Sequence, residues 1–233
     1  MTQEQKIIAN LAIVRENIAK AESEAGVDPG SVTLVGVTKN RTVEKMRMAV
    51  DAGLADIGEN KVQESQEKLP GLEREVKRHF IGHLQRNKVR DVLPLFELIH
   101  SVDSPRLARE IETRAEAAGV RARILMQVNT SGEESKFGVE PDKADSLLEV
   151  ISGCGNIDLL GLMTIGPLGG TRRETAACFV RLRKMFENYR KNSPDNCRME
   201  VLSMGMSIDY ELAISEGANI VRVGSAIFGP RKY

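Results

Sequence analysis

The sequence lacks several features that would place it in a common functional class. Its 33 basic and 33 acidic residues balance, so no overall field favours nucleic acid or an anionic membrane. It has no apolar run of about 18 residues and no basic segment followed by an apolar one at its start, so we expect a cytoplasmic chain without a membrane span. Its 3 cysteines show no CxxC spacing, which indicates neither a disulfide framework nor a zinc site.

What is present is an alternation of short β-rich runs and segments with helical periodicity. The 233 residues, 41% of them apolar, suffice for one sizeable core. An amphipathic helix is predicted first, over 2–25. The pattern then predicts strands over 32–38, 55–58, 78–82, 97–101, 122–129, 157–163, 198–203 and 219–223. Further helices are predicted over 43–52, 61–69, 85–93, 105–118, 141–152, 172–191 and 208–217.

This order of elements predicts an α/β protein. Eight βα units in a chain slightly shorter than most barrels favour a (β/α)8 TIM barrel with an extra N-terminal helix over an open doubly wound sheet. No composition shift divides the chain, and the glycine-rich stretch 166–170 is too short for a domain linker. We therefore expect a single barrel domain over 1–233.

Lys39 stands at the end of the first predicted strand, in the run VTLVGVTK. In a barrel, functional residues gather where strands end on the C-terminal face. Partial burial at that position would favour a neutral amine that can attack a carbonyl carbon. This segment alone leaves open an ordinary solvated loop lysine.

The ends of other strands also carry polar residues, among them Asn60, His83, Ser207 and Arg222. Taken singly, Asn60 and Ser207 are explained as N-caps of the helices that follow them. Taken together, a ring of polar groups around one barrel mouth indicates a ligand that satisfies them.

The last two strand ends predict a phosphate site. The MGMS segment that ends at Ser207 leads into a predicted helix, whose first amides can meet an anion. Gly224 and Ser225 add a bare backbone and a hydroxyl one strand later, and barrels often bind phosphate after strands seven and eight. No GxxxxGK[ST] loop and no GxGxxG between strand and helix supports a nucleotide. An amine at one side and a phosphate site at the other fit pyridoxal 5′-phosphate.

Seven motifs lie along residues 32–231: VGVTKN, ADIGENKVQE, HFIGHLQRNK, ESKFGV, GLMTIG, LSMGMSIDYELAI and VRVGSAIFGPR. In this combination the chain resembles the pyridoxal phosphate homeostasis proteins, which are similar to the barrel domain of alanine racemase standing alone. The joint presence of LSMGMS, IGHLQ and a terminal GSAIFG is specific, whereas each motif alone is weak. The resemblance implies a fold-type III barrel that binds pyridoxal phosphate.

The resemblance also implies roles for individual residues. Lys39 would bind the cofactor through a Schiff base, Ser207, Gly224 and Ser225 would hold its phosphate, and Arg222 would face the pyridine nitrogen. A guanidinium cannot accept a proton and disfavours a neighbouring cation, so the ring would be a weak electron sink. No catalytic residue and no metal ligand is assigned. Without the resemblance, a rim ion pair explains Arg222 equally well.

Further positions follow from the same resemblance. Asn60 and Met204 would line the pocket with His83 close behind, although His83 can equally be a structural hydrogen-bonding residue. Many relatives have tyrosine where this chain has Lys61, so an aromatic contact with the pocket wall is absent. Lys136, in the ESKFGV motif, is a candidate second amine in a mobile loop that would accept the cofactor transiently. The alternative for it is a solvated loop lysine.

Three functions remain open. The resemblance implies a non-catalytic carrier that buffers pyridoxal phosphate, delivers it to apo-enzymes and maintains vitamin B6 and amino- and keto-acid homeostasis. Exposed helical faces rich in Arg and Glu argue against a large obligate interface and favour a monomer. A fold-type III amino-acid racemase is the alternative, but racemases take one acid-base group from a second domain, which we do not expect beyond Tyr233. A Schiff-base phosphosugar aldolase would need a carboxylate at a strand end, for which Glu59 is the candidate.

Overall fold

Eight parallel strands form a closed barrel in the computed structural model, which describes residues 1–192, 194 and 196–230. The strands are β1 (Thr33–Val37), β2 (Asp56–Glu59), β3 (Lys77–Phe80), β4 (Leu98–Val102), β5 (Ala122–Gln127), β6 (Ile157–Met163), β7 (Cys197–Ser203) and β8 (Ile220–Val223). Each overlaps a predicted strand, and the predicted barrel fold is confirmed. Arg231, in the last motif, and the end of the predicted 1–233 domain lie outside the described residues.

The barrel closes through β1, which pairs in parallel with both β2 and β8. Val35 is the register partner of Asp56 on one side and of Arg222 on the other. Side chains alternate between the two faces of a strand, so one set fills the barrel interior and the other meets the helices. The interior core consists of Val35, Leu98, Leu125, Met163 and Ile220. This alternation decides which residues near the strand ends can reach a ligand inside the mouth.

Helices surround the barrel. They are α1 (Gln3–Ala25), α2 (Val43–Asp51), α3 (Val62–Lys68), α4 (Val89–Val92), α5 (Pro105–Ala118), α6 (Ala144–Ser152), α7 (Arg172–Asn192), α8 (Tyr210–Ser215) and α9 (Ser225–Phe228), with 3₁₀ turns at Leu69–Gly71, Arg86–Lys88 and Pro141–Lys143. Over the described ranges, no helix is both long and apolar enough to cross a membrane.

Two predicted helices are shorter than the sequence pattern indicated. The segment 85–93 splits into a 3₁₀ turn and the single turn α4. The segment 208–217 begins its helix only at Tyr210, because the amides of Asp209 and Tyr210 both donate to the Met206 carbonyl and form a tight turn first. The helix α9, one turn long, was not predicted. Periodicity cannot detect such short elements, because one turn contains too few residues to show a period.

The N-terminal helix α1 packs against α2, α8 and α9 on the outside of the barrel. Its buried residues follow helical spacing, at Ile7, Leu11, Val14, Ile18 and Ala21. A capping box between Thr2 and Gln5 begins the helix, and Gly26 ends it in the left-handed conformation. The extra N-terminal helix predicted from the sequence is therefore present and covers the strand junction where the barrel closes.

Candidate functional site

A cavity of about 280 Å³ opens at the C-terminal ends of the barrel strands. It is lined by Val37, Lys39, Arg41, Asn60, Ile81, Ile165, Met206, Ser207, Ile208, Arg222, Gly224 and Ser225. A larger groove of about 520 Å³ lies beside it against α1, α7 and α8, and the two share Ser207 and Ile208. Among the described residues that line the groove there is no lysine, so the smaller cavity is the better candidate for carbonyl chemistry.

Lys39 lies partly buried in the turn that follows β1. The turn is fixed by backbone bonds, because the Thr38 amide donates to the Gly58 carbonyl at 3.0 Å and the Arg41 amide donates to the Thr38 carbonyl at 3.0 Å. Asn40 adopts a φ of 57°, a left-handed conformation that asparagine tolerates better than most residues. The position of the lysine is thus set by a defined turn.

A buried ionic cluster supports this turn from the helix side of the barrel wall. The Lys68 cluster consists of Thr38, Glu59, Glu64 and Lys68. The Lys68 ammonium lies 3.0 Å from the Thr38 carbonyl, 2.7 Å from Glu59 Oε1 and 2.8 Å from Glu64 Oε1. Glu64 Oε1 also accepts the Asn40 amide at 2.6 Å, so the cluster holds the backbone on both sides of Lys39.

Glu59 is the most deeply buried acid of the Lys68 cluster. Burial raises the pKa of its carboxyl group, against the opposing effect of Lys68. Its Oε1 accepts the Thr38 hydroxyl at 2.6 Å, whereas its Oε2 has no hydrogen-bond partner among the described residues. Side chains along β2 point alternately into the barrel and toward the helices. The Glu59 side chain points toward α3, so it does not line the cavity. The carboxylate that an aldolase would need at this strand end is therefore directed away from Lys39.

Ser207 meets the start of α9 in the lining of the cavity that Lys39 also lines. The Ser207 Oγ accepts the amides of Gly224 and Ala226 at 3.1 and 3.3 Å. A Cβ at position 224 would come within 3.3 Å of the Val37 Cβ, so glycine keeps the backbone close to β1. Two amides that converge on one oxygen mark a place where a phosphate oxygen can be held. We refer to Ser207, Gly224 and Ser225 as the phosphate cradle.

Arg222 is buried at the inner wall of the cavity. Its guanidinium donates to the Ser203 Oγ and, at 2.8 Å, to the Thr164 carbonyl. Burial lowers the pKa of Arg222 to about 10, while nearby Asp209 acts in the opposite direction, so the group remains charged at neutral pH. No ion pair joins Arg222 to a carboxylate in the part of the chain that the structure describes. This argues against the alternative explanation of Arg222 as a member of an ion pair at the barrel rim. The cavity therefore contains a cationic donor that cannot accept a proton.

Asn60 completes the wall between the first and third strands. Its buried Oδ1 finds no hydrogen-bond partner among the described residues, as expected of a group that awaits a ligand. It does not cap α3, whose cap position is Lys61. A Cβ at Gly82 would lie 2.2 Å from the Asn60 carbonyl oxygen, so only glycine allows the β3 loop to pass so near. Ser207 does not cap α8 either, because that helix begins at Tyr210.

Two predicted residues do not reach the cavity. Met204 is fully buried in the core between barrel and helices, because side chains alternate along β7 and its neighbour Ser203 takes the inward direction. Met204 therefore does not line the cavity in this structure, and its contact with a ligand stays a prediction. His83 stacks on Phe137 at 3.7 Å between ring centroids, and its Nδ1 lies 3.7 Å from Asp103 Oδ2. It lies outside the cavity lining and joins two loops of the barrel mouth.

Lys136 is anchored rather than solvated. Its ammonium donates to Glu133 Oε1 at 2.8 Å and to the Gly166 carbonyl at 2.6 Å, and its side chain is only 17% exposed. These bonds tie the loop after β5 to the loop after β6. Lys136 does not line the cavity. Lys61, which stands where many relatives have tyrosine, is exposed at the start of α3 and does not line the cavity either.

Several cavity residues were missed by the sequence reasoning. Ile81 and Ile165 each lie two positions beyond an inward-facing strand residue, so strand alternation could have identified them. Arg41 donates to the Phe228 and Gly229 carbonyls, which ties the Lys39 turn to the end of α9. No local signal in the sequence indicates that contact.

The donors in the cavity suit an organic ligand that has a phosphate and a carbonyl group. Within the described ranges, no three His, Cys, Asp or Glu side chains are close enough together to hold a metal ion. An amine, a phosphate cradle and a guanidinium instead converge on one space.

Comparison with known proteins gives a consistent family assignment. Residues 9–232 match the family described as Alanine racemase, N-terminal domain. Pyridoxal phosphate homeostasis protein of Aquifex aeolicus is 40% identical over 224 residues, which cover 96% of this chain and 97% of that protein. The protein of the same name from Escherichia coli K12 is 34% identical over 242 residues, which cover 97% of each.

Comparison with solved structures agrees with this family assignment. PipY of Synechococcus elongatus, in a structure with PLP bound, is 36% identical with a TM-score of 0.82, covering 93% of this chain and 100% of that one. Alanine racemase of Clostridium difficile, in complex with cycloserine, has a TM-score of 0.77 at 15% identity, covering 97% of this chain and 60% of that one. At that identity the similarity shows the barrel fold alone.

Proposed function

The chain belongs to the alanine racemase N-terminal domain family, and within it to the pyridoxal phosphate homeostasis proteins, and from this premise we propose that it binds and carries pyridoxal 5′-phosphate without catalytic turnover. The observation that carries the proposal is one cavity of about 280 Å³ that brings together Lys39, the phosphate cradle and Arg222. These groups match the aldehyde, the phosphate and the pyridine nitrogen of that cofactor.

The residues present fit the cofactor. Lys39 would hold the aldehyde carbon through a Schiff base, and the phosphate cradle would hold the phosphate with amides and hydroxyls. The unpartnered Oδ1 of Asn60 offers an acceptor to a ring substituent. Bound there, pyridoxal phosphate supplies a reactive aldehyde and a ring that withdraws electrons most strongly when its nitrogen is protonated. Arg222 disfavours that protonated state because it can only donate.

The absence of turnover is our inference from the groups around Lys39. Racemization needs acid-base groups on both faces of a substrate carbon. Among the cavity-lining residues that the structure describes, the charged side chains are Lys39, Arg41 and Arg222, with no carboxylate and no histidine that could act as a second acid-base group. This favours a carrier that buffers the cofactor and releases it to apo-enzymes. We propose that it does so as a monomer in the cytoplasm, where buried cysteines without disulfides are usual.

The central test is covalent trapping on Lys39. Protein incubated with pyridoxal phosphate is expected to show a visible absorbance band, and borohydride followed by peptide mass spectrometry should place the reduced adduct on Lys39. Lys39→Ala should abolish the band, because the amine that holds the aldehyde is gone. Lys136→Ala is the matched control and should keep it. A wild-type adduct on a different lysine, or an unchanged band in Lys39→Ala, would overturn the assignment.

A second measurement separates the carrier from the racemase. Incubation of the loaded protein with L-alanine should give no more D-alanine than free pyridoxal phosphate gives. Production that depends on Lys39 and exceeds this background would favour a fold-type III racemase.

A further inference from the structure

A chain of buried polar side chains leads from the far end of the barrel to Arg222. We call Asp56, His79, His100 and Ser203 the interior chain. The distances are 2.9 Å from Asp56 Oδ1 to His79 Nε2, 2.9 Å from His79 Nδ1 to His100 Nε2, and 3.0 Å from His100 Nδ1 to Ser203 Oγ. The Ser203 Oγ in turn accepts a hydrogen bond from Arg222. Their exposures are 8%, 5%, 0% and 0% in chain order.

The interior chain crosses the inside of the barrel. His100 belongs to β4 and Ser203 to β7, and these strands are not neighbours in the closed barrel. Their side chains can meet only through the interior. Asp56, the first residue of β2, lies at the opposite end of the barrel from the cavity. The interior chain therefore links the cavity wall to the far end of the barrel.

The chemistry of its ends fixes the direction of the hydrogen bonds. Arg222 can only donate, so Ser203 accepts from it and directs its own hydroxyl proton to His100 Nδ1. Burial lowers the pKa of His100 well below its ordinary value, and His79 and Arg222 add to the effect, so its ring is neutral. The His100 proton then lies on Nε2 and is donated to His79 Nδ1. His79 in turn donates from Nε2 to the Asp56 carboxylate.

We propose that Asp56, His79 and His100 are positioning residues for Arg222: their directed hydrogen bonds give the Ser203 hydroxyl proton a fixed acceptor, so the Ser203 oxygen stays turned toward the guanidinium at the cavity wall. This inference rests on the proposed function, because it assigns a support to the residue that would face the pyridine nitrogen. Affinity for a pyridine phosphate should therefore fall when the interior chain is interrupted.

The direction of the hydrogen bonds can be tested without any ligand. The protein has 3 histidines, so nitrogen NMR of histidine-labelled protein can be assigned with single variants. At neutral pH, His79 and His100 should both carry their proton on Nε2. A proton on Nδ1 of either ring would overturn the proposal, because Ser203 would then have no acceptor at His100, or His100 would have none at His79.

The link to the cavity is tested with 4′-deoxypyridoxine 5′-phosphate, a probe without an aldehyde. Asp56→Leu removes the acceptor of the His79 proton and frees the ring to take the other tautomer, so probe affinity at neutral pH should fall several-fold. Asp56→Asn keeps an acceptor and should restore most of the affinity. Asp158→Asn is the matched control, since Asp158 pairs with Arg121 outside the interior chain and should leave the affinity unchanged.

Variants of His100 give the complementary test. His100→Leu removes both bonds and should weaken probe binding roughly ten-fold. His100→Gln can accept from Ser203 and donate to His79, so it should restore most of the affinity. Wild-type affinity in His100→Leu, or a loss in His100→Gln as large as in His100→Leu, would refute the proposal. Failure of the wild type to bind either the probe or pyridoxal phosphate would instead refute the proposed function.

Discussion

Lys39 and Arg222 come from adjoining strands of one barrel, yet different chemistry supports each of them. The Lys39 turn rests on the Lys68 cluster, an ionic group between the barrel and α3 in which the Lys68 and Glu64 side chains are 11% and 20% exposed. Arg222 rests on the interior chain, whose central members His100 and Ser203 are 0% exposed. The support of Lys39 is therefore ionic and reaches water at Lys68 and Glu64, whereas the middle of the support of Arg222 consists of neutral hydrogen-bonding side chains without contact with water.

The largest effect is expected where a charge would lose its partner. Lys68→Met removes the cation that compensates Glu59 and Glu64, and loss of one member of a buried ion pair costs about 3–5 kcal/mol. Urea unfolding at neutral pH should show this loss. It should shrink as the pH falls, because the buried carboxyl group takes up a proton and no longer needs the cation. Lys61→Met, at an exposed position beside the same helix, should change stability by less than about 0.5 kcal/mol.

That contrast would break down if Lys68→Met unfolded at the same urea concentration as the wild type. The Lys68 cluster would then be a solvated surface pair with little energetic weight.

A smaller effect is expected from a substitution in the interior chain, which supports Arg222. Ser203→Ala removes the hydroxyl between His100 and Arg222 and leaves both with one bond fewer, at a cost of about 1–3 kcal/mol. Because no charge changes, the loss measured by urea unfolding should be the same at pH values of about 7 and 9. Ser65→Ala is the matched control, since that buried hydroxyl donates only to a helix carbonyl, and it should cost less. A loss that varies strongly over this range would mean that the Ser203 hydroxyl is coupled to a group that titrates between these pH values.

The smallest effect is expected from Glu59→Gln, which keeps an acceptor for Thr38 and Lys68 but cannot ionise. Burial raises the pKa of Glu59 in the folded protein, so ionisation opposes folding, and the wild type loses stability from this group as the pH rises through that pKa. The variant does not suffer this loss. Its stability relative to the wild type should therefore improve from acidic to neutral pH, with a net change of about 1 kcal/mol or less. A relative stability that worsens with rising pH would show that the ion pair outweighs burial.

The sequence predicted the fold and half of the residues that line the cavity. Alternation of strand and helix patterns led to the barrel, and the rule that ligands bind at the C-terminal strand ends led to Asn60, Ser207, Gly224 and Ser225. These positions could be found because they follow directly after strands, whose ends are visible in the sequence. The assignments of their ligand contacts stay predictions.

The differences between expectation and structure arose where one residue step changes the direction of a side chain. Met204 was expected in the cavity and lies in the outer core, while Ser203 beside it points inward and contacts Arg222. The strand pattern over 198–203 did not show which of the two alternating sets of side chains points into the barrel, because a buried barrel strand is apolar on both faces. Glu59 was considered as a carboxylate for the cavity for the same reason, and it faces α3.

The sequence by itself determined the order of the elements and the kinds of residue at each strand end, because both depend on local patterns within a few residues. Only the tertiary structure decided which side chains meet across the barrel. Lys68 reaches the Thr38 carbonyl 30 residues away, and His100 meets Ser203 103 residues away. Such contacts depend on barrel closure and on the inward or outward direction of each strand residue, which no local pattern specifies. The support behind Lys39 and Arg222 therefore became visible only in the folded chain.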